Sequence, residues 1–383
     1  MKLSNRPFLR SVGMMIGAVI GVGVFGLPYA FAQSGFALGI LELLVLGGIL
    51  TILQLMLGEV TLQTDGRHRL VSYVGMYVGP LWKWVALVAV CLSVWGAMLA
   101  YMVVGGSFLS PLLSPWLGGT QAMYSYVIAG TASLLIYGGL RFAAKIEYII
   151  VGALFFLFLS IMLACIPLIN VQHDLAVNYS QALAPYGVIL FALSGMGIVP
   201  ELREVLGKKQ ERRLGSVIVT AMVIICSLYA LFGFAVVGVT GLATTPTAFD
   251  GLVPYLGDTF QLVGTFLASL TILSIYMVLG IELLNTFKYD FRLHHQIAWV
   301  LVCVVPIVIF GLGMREFINI IGFVGSVFGG FLGILIALTY WMMRKNKVME
   351  KHHCIRFPAF LTWIIILVFS AGMMIEIYST LMG

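Results

Sequence analysis

Apolar runs long enough to cross a bilayer follow one another along almost the whole chain, and the polar connections between them are too short to hold a folded domain. A helix needs about 20 apolar residues to span a hydrocarbon core of about 30 Å. Inside lipid every backbone amide and carbonyl must find its partner within the protein, which leaves helices or a closed barrel. Barrel strands are about ten residues long and alternate apolar with polar positions. The runs here are longer and apolar throughout. The chain is therefore expected to be an all-α polytopic membrane protein, one transmembrane domain over residues 1–383. Its make-up, 61% hydrophobic and 9% charged, agrees, since soluble domains carry about 25% charged residues.

The pattern gives eleven spans: 8–31, 36–62, 80–104, 121–138, 145–168, 184–205, 214–239, 260–286, 295–312, 317–342 and 358–379. The basic start, MKLSNRPFLRSV, raises a cleaved signal peptide as a rival, but the apolar run continues to Ala32 without a small-residue cleavage pattern. A retained first helix is expected. With the N-terminus inside, the alternating loops place every Lys and Arg except Arg315 on the inner side, from Lys2, Arg6 and Arg10 through Arg69, Arg141, Lys145 and Arg203 to Lys347, Lys351 and Arg356. That asymmetry orients membrane proteins, and it reads the net charge of +6 as an anchor on anionic lipid rather than a nucleic-acid surface. A multi-pass cell-membrane protein with its C-terminus outside is expected, working as a monomer.

Cysteines and histidines add little chemistry. Cys91, Cys165, Cys226, Cys303 and Cys354 lack metal-ligand spacing, so free thiols are expected. All six histidines lie in loops, among them His68, His173, His294-His295 and His352-His353, and read as solvated. No metal and no cofactor is expected. With no histidine in a span and no nucleophile–base pair at the midplane, an enzyme is not expected.

Two spans are interrupted. The first contains Gly17-Ala-Val-Ile-Gly21-Val-Gly23-Val-Phe-Gly26-Leu-Pro28, and the sixth contains Phe191-Ala-Leu-Ser194-Gly195-Met-Gly197-Ile-Val-Pro200-Glu201. Glycine weakens a helix, and proline removes a donor and bends its neighbour away from helical angles. The two resemble each other, with the same interval from Gly23 to Pro28 as from Gly195 to Pro200. Spans one to five (8–168) and six to ten (184–342) are blocks of similar length, each with an odd number of spans, so the second runs opposite to the first. Broken helices at matching places in inverted halves point to a midplane binding site. Amides opening the outer half of the first span near Gly23 suit a carboxylate. Carbonyls near Ala18 to Gly21 suit an ammonium or a cation, and the same logic holds at Ser194 and Gly195. Such a site fits a zwitterion. The competing reading, that these glycines only let helices approach closely, fits Gly322, Gly325, Gly329, Gly330 and Gly333 of the tenth span better.

Ionisable residues within spans are functional candidates by default. Glu59 near the inner end of span two, Glu201 after Pro200 and Glu282 in span eight are gate or coupling candidates, each with a plain salt bridge to a nearby base such as Arg10, Lys145 or a loop arginine as the alternative. Glu42 is placed to line an outer vestibule, Glu147 opens span five, and Glu376 reads as an interfacial residue of the last span. Thr271 and Ser274 share a face of span eight, where a hydroxyl could join helix-one carbonyls around sodium or bond back to its own helix. Ser93, Trp95, Tyr101, Phe191 and Met196 could shape a side-chain pocket.

The stretch from Gly17 to Gly35, GAVIGVGVFGLPYAFAQSG, resembles the first helix of the amino acid/auxin permease family, closest to its bacterial aromatic amino acid permease branch within the amino acid–polyamine–organocation superfamily. FALSGMGIVPE, from Phe191 to Glu201, is similar to that family's sixth helix. The resemblance covers nearly the whole chain. It implies the leucine-transporter-type 5+5 inverted repeat with an eleventh helix at 358–379, and secondary uptake of amino acids by alternating access. It further implies a substrate backbone held at Gly21, Val22 and Gly23, with Phe191, Ser194 and Gly195 contributing from helix six. The second sodium site of sodium-coupled relatives would fall on Gly17 and Ile20 together with Ala268 and Thr271. Ile272 replaces the adjacent hydroxyl of some relatives, which favours a proton over sodium as coupling ion. A sodium-coupled symporter, an amino acid exchanger, and an amino-acid-sensing receptor on a transporter fold remain open alternatives.

Overall fold

The computed structural model describes residues 5–138, 143–170, 177–289, 291–346 and 357–382, with the backbone alone at 143–151, 153, 154 and 289. Lys2, Arg141, His173, Lys347, Lys351, His352, His353, Cys354 and Arg356, and the side chains of Lys145 and Glu147, lie outside the described residues.

The chain begins with a broken pair, α1 (Arg6–Val19) and α2 (Gly23–Ser34), followed by α3 (Phe36–Gln63), the short α4 (Leu70–Tyr77), the 38-residue α5 (Pro80–Leu117), α6 (Gln121–Gly138) and α7 (Ala143–Cys165). A second broken pair follows, α8 (Ala184–Ala192) and α9 (Val199–Leu206), then α10 (Leu214–Thr240), the short α11 (Val253–Leu256), α12 (Asp258–Tyr289) and α13 (His295–Gly311). The last two long stretches are α14 (Phe317–Phe323), running through a π-helix at Val324–Gly329 into α15 (Gly330–Lys345), and α16 (Ala359–Met382). Among the described residues there is no strand. Among the described residues seven helical stretches are long and apolar enough to cross a membrane, and the bent pair α1–α2 makes an eighth; residues 155–168 and His295–Gly311 form shorter apolar helices.

Local chemistry sets the element boundaries. Gly35 alone separates α2 from α3, at a φ of 91° that a residue with a Cβ adopts only under strain. α5 opens at Pro80, in the first helical position where its missing amide hydrogen costs nothing. At 1.5 Å per residue it is longer than a core of about 30 Å.

Packing follows the rule for helices in lipid, where close approach replaces hydrophobic exclusion. α8 lies against the π-helix so tightly that a Cβ on Gly325 would sit on the Gly187 carbonyl oxygen and 2.7 Å from the Phe191 amide nitrogen. Gly333 is likewise pressed on Phe369 of α16. Gly329 and Gly330 are looser, with their nearest neighbours 3.7 Å away. The face turned to lipid carries apolar side chains: Leu41, Leu44, Leu134, Leu231 and Leu367 are all exposed. Cys165, Cys226 and Cys303 are free thiols.

Candidate functional site

The first interruption bends the chain by 62° between α1 and α2. Ile20 takes extended angles (φ −73°, ψ 100°), which ends α1. The Val22 amide donates 3.1 Å to the Tyr101 hydroxyl of α5, a partner from another helix for a group the helix no longer satisfies. That hydroxyl occupies the space a side chain on Gly21 would need. The second interruption spans Leu193 to Gly195, where Gly195 is extended (φ −167°), before a 3₁₀ turn at Met196–Ile198 leads into α9.

The two interruptions face each other. A Cβ on Gly23 would lie 2.7 Å from the Ala192 Cα and 2.9 Å from the Phe191 Cδ1, and one on Gly195 would strike the Val19 side chain. Tyr229 of α10, fully buried, bridges them: its hydroxyl lies 3.0 Å from the Ala192 carbonyl oxygen and 3.3 Å from that of Val19. One proton serves both acceptors, the last carbonyls before each break. Ala18, Ser194 and Gly197 are exposed here, midway along their spans, and Gly17, Gly21, Phe191 and Gly195 are half-buried. The backbone of both breaks is therefore only partly covered by side chains, as polar backbone within a span must be to meet a ligand or water.

Aromatic rings cluster on the side of the breaks toward the α2 C-terminus. Phe25 meets Phe108 at 5.2 Å, Phe158 at 5.5 Å and Phe249 at 5.8 Å between ring centroids, and Phe249 also stacks on Phe260 at 5.6 Å. Edge-to-face and offset ring pairs each contribute about 0.5–1.5 kcal/mol beyond burial. Phe249 belongs to the connection between α10 and α11, next to Ala248, whose φ of 61° is unusual for a residue with a side chain. In the same connection burial pushes the Asp250 carboxyl above the usual carboxylate range, partly opposed by the Thr247 hydroxyl that donates to it at 3.3 Å.

The opposite side, toward the α1 N-terminus, carries the charges. Glu201 pairs with Arg69 at 2.9 Å, the salt-bridge alternative offered for it above. Arg67 pairs with Glu204 at 3.4 Å. Arg203 pairs with Glu211 at 3.2 Å and donates to the carbonyls of Thr61 and Thr64, tying α9 to the end of α3. Glu282 is exposed, its Oε1 lying 4.0 Å from where a Cβ on Gly197 would be, within electrostatic reach of Glu201 and Arg69. Glu59 is buried and accepts a hydrogen bond from Gln63 at 2.8 Å.

The residues expected to flank a cation are less close. Thr271 donates 2.9 Å back to the Leu267 carbonyl of its own helix, and Ala268 is fully buried. α1, with Gly17, packs chiefly on α9 and α10, whereas α12, with Ala268 and Thr271, packs on α5, α6, α7 and α13. Ile20, at the end of α1, is buried. Ile272 faces Gly105 of α5. Among the described residues no group of histidine, cysteine and acids could hold a metal ion.

Tyr229 escaped the sequence reading. The available signal was a tyrosine far inside an apolar span, because a buried hydroxyl needs a partner. Nothing local says which carbonyl it finds. Trp95 meets Phe287 at 5.8 Å between ring centroids with the rings tilted by 40°, and its Nε1 is buried without a hydrogen-bond partner.

Residues 5–382 match the family model described as transmembrane amino acid transporter protein. The chain belongs to that family. It is a secondary transporter that moves amino acids across a membrane, not an enzyme. This amino acid transporter is 22% identical over 354 residues to the tyrosine-specific transport system 1 of Haemophilus influenzae, covering 87% of each chain. It is 20% identical over 361 residues to glutamine transporter 2 of Aliivibrio fischeri, covering 91% of this chain and 92% of the relative. Among solved structures, MhsT in complex with L-phenylalanine superimposes with a TM-score of 0.68 at 17% identity, covering 98% of both chains. The transporter therefore has an all-α fold of the leucine-transporter type.

Proposed function

We propose that this transporter imports neutral amino acids, aromatic ones among them, by alternating access driven by protons. The observation that carries the reading is the joining of the two breaks, Gly23 against Phe191 and Ala192, with Tyr229 across both. The opening amides of α2 receive the substrate carboxylate, and the closing carbonyls of α1 receive its ammonium. Phe191, Ser194 and Gly195 border the same space from helix six. The side chain enters among Trp95, Tyr101, Phe191 and Met196, aromatic and apolar groups suited to an uncharged substrate. The tyrosine and glutamine named for two relatives are neutral amino acids as well.

The moving parts in this reading are two inverted five-helix halves, 8–168 and 184–342, with the helix at 358–379 outside the repeat. The placement of Lys and Arg supports a cytoplasmic N-terminus. The exposed break and the sealed phenylalanine cluster then describe a state open to the inside, with Glu201–Arg69 and Glu282 at the inner mouth. Local satisfaction of the Thr271 hydroxyl, with Ile272 beside it, supports a proton over sodium.

Purified protein in liposomes tests this directly. Labelled amino acid should accumulate under an imposed proton gradient and not under a sodium gradient alone. Binding without flux sinks transport in favour of sensing, and exchange indifferent to either gradient points to an exchanger. E201Q and T271A, assayed with pH and sodium varied separately, test the inner-gate and sodium-site assignments. If neither changes ion dependence, both assignments fail.

A further inference from the structure

Glu376 is a carboxylate within the last span that the cycle above does not use. Expected near the membrane interface, it lies more than a turn inside the end of α16 and is half-buried. Helical side chains lean toward the helix N-terminus, which here carries the carboxylate deeper into the membrane. There the Ser326 hydroxyl donates to its Oε2 at 3.4 Å. Ser326 is fully buried and belongs to the π-helix Val324–Gly329; such local irregularities occur often at functional sites. Oε1 lies 3.6 Å from the position a Cβ on Gly322 would take, so the carboxylate rests in van der Waals range of the tenth span there.

The surroundings are uncharged. Tyr186 faces Glu376 from α8, and Ser326 and Gly322 from the tenth span. Arg315 and Glu316, at the outer end of that span, are engaged elsewhere. Arg315 donates to the Phe310 carbonyl and lies 5.0 Å from its ring centroid, and Glu316 accepts from Asn319 at 2.6 Å. Among the described residues no cation pairs with Glu376. A carboxylate so placed is costly to ionise without water or a counter-charge, so its charge state bears on how the helices around it pack.

Those helices lead to the substrate. Ser326 Oγ occupies the space beside Gly187 of α8, and Gly325 of the same π-helix presses on the Phe191 amide. The Tyr186 hydroxyl donates to the Val368 carbonyl of α16 at 3.4 Å, and its ring fills the space beside Gly372. α16, the π-helix and α8 thus meet at one junction, and α8 ends at the second interruption.

We propose that Glu376 is the proton-binding group of this transporter, and that its occupancy is passed to the substrate site through Ser326 and α8. A proton from the outer solution bonds to a carboxylate oxygen, is released as H⁺ on the inner side, and no other group changes oxidation or protonation state. The neutral carboxyl fits the dry junction. The anion draws water into it and loosens α8 against the π-helix. The two states differ in charge at one site and in packing at the other, which is what coupling requires. The proposal rests on the proton-driven reading above and locates its ion.

Full-length protein in liposomes, with labelled amino acid and an acid-outside gradient, tests it. The expected result is gradient-driven accumulation in the wild type, a loss of about tenfold or more in E376Q, and recovery of most of it in E376D. S326A, which keeps the carboxyl and removes its hydrogen bond, should move the pH profile of uptake and leave the sodium response flat. Accumulation in E376Q that still follows the gradient overturns the assignment while leaving proton-driven transport standing. A wild type driven only by sodium overturns both. Should E376Q not fold, an unchanged pH profile in S326A together with inactive E376D overturns the route through the π-helix.

Discussion

The Tyr229 hydroxyl stands 3.0 Å from the Ala192 carbonyl oxygen, at the point where α8 stops being helical, and reaches the Val19 carbonyl at the end of α1 from the same position. One side chain from α10 therefore holds the ends of both broken helices. A hydrogen bond of this kind contributes about 1 kcal/mol net, and more is lost when its buried acceptors are left alone.

Y229F removes the bridge and keeps the ring. Binding of labelled substrate to the purified protein should weaken by about tenfold, the equivalent of about 1.4 kcal/mol. Unchanged binding would show that the two ends hold their places without the bridge.

Glycines near the first break divide by what a methyl group would meet. At Gly23 it would press on the Ala192 backbone and the Phe191 ring, at 2.7 and 2.9 Å. At Gly13, in the same span, nothing lies within 4 Å. G23A should therefore abolish uptake, and G13A should transport at close to the wild-type rate at equal membrane abundance. Equal, near wild-type transport in both would mean that the neighbours of Gly23 yield without cost, helped by a helix propensity of about 1 kcal/mol in favour of alanine.

The Glu201–Arg69 pair is partly exposed, with side-chain exposures of 37% and 55%. Pairs of that kind contribute about 0–1 kcal/mol to stability. A double-mutant cycle of E201Q and R69A, read by thermal unfolding, should give a coupling energy below about 1 kcal/mol. Uptake rates should change more than stability does, because the pair ties the helix-six segment after the break to the connection before α4. A large stability coupling with normal uptake would make it a structural clamp.

Asp250 gives the connection between α10 and α11 a pH dependence of defined sign. Its carboxyl is held above its ordinary value in the folded protein, by burial first, with the Thr247 hydroxyl partly opposing. An acid of raised pKa stabilises the fold fully below its unfolded value, and this contribution is lost as pH rises through the folded value. The wild type should gain thermal stability on mild acidification relative to D250N, in unfolding measured across the acid range. A wild-type profile parallel to that of D250N removes Asp250 from the account.

The two interruptions were legible because their cause is local. Glycine and proline spoil a helix wherever they stand, and Gly21, Gly23, Gly195 and Pro200 lie at or beside the places where the helices part. The partners of the freed backbone were not legible. Tyr101 and Tyr229 lie 79 and 37 positions from the Val22 and Ala192 groups they satisfy, and no periodicity links residues so far apart. Thr271 shows the reverse case, since both of its readings were open until its bond to Leu267 appeared. Glu376 stood out as an acid in the last span, but its hydrogen bond to Ser326 of another helix could not be read from the sequence.

By itself, the sequence determined the solvent and the class: a chain with 61% hydrophobic residues and 9% charged must satisfy its backbone within lipid, and long apolar runs do so as helices. It also determined where those helices could not remain intact. The tertiary structure decided what meets at the breaks, namely Gly23 with Ala192, Tyr229 with two carbonyls, and Phe25 with Phe249 above them. Helix formation and breakage follow from neighbouring residues, whereas the site is made of contacts between distant segments that come together only when the helices pack.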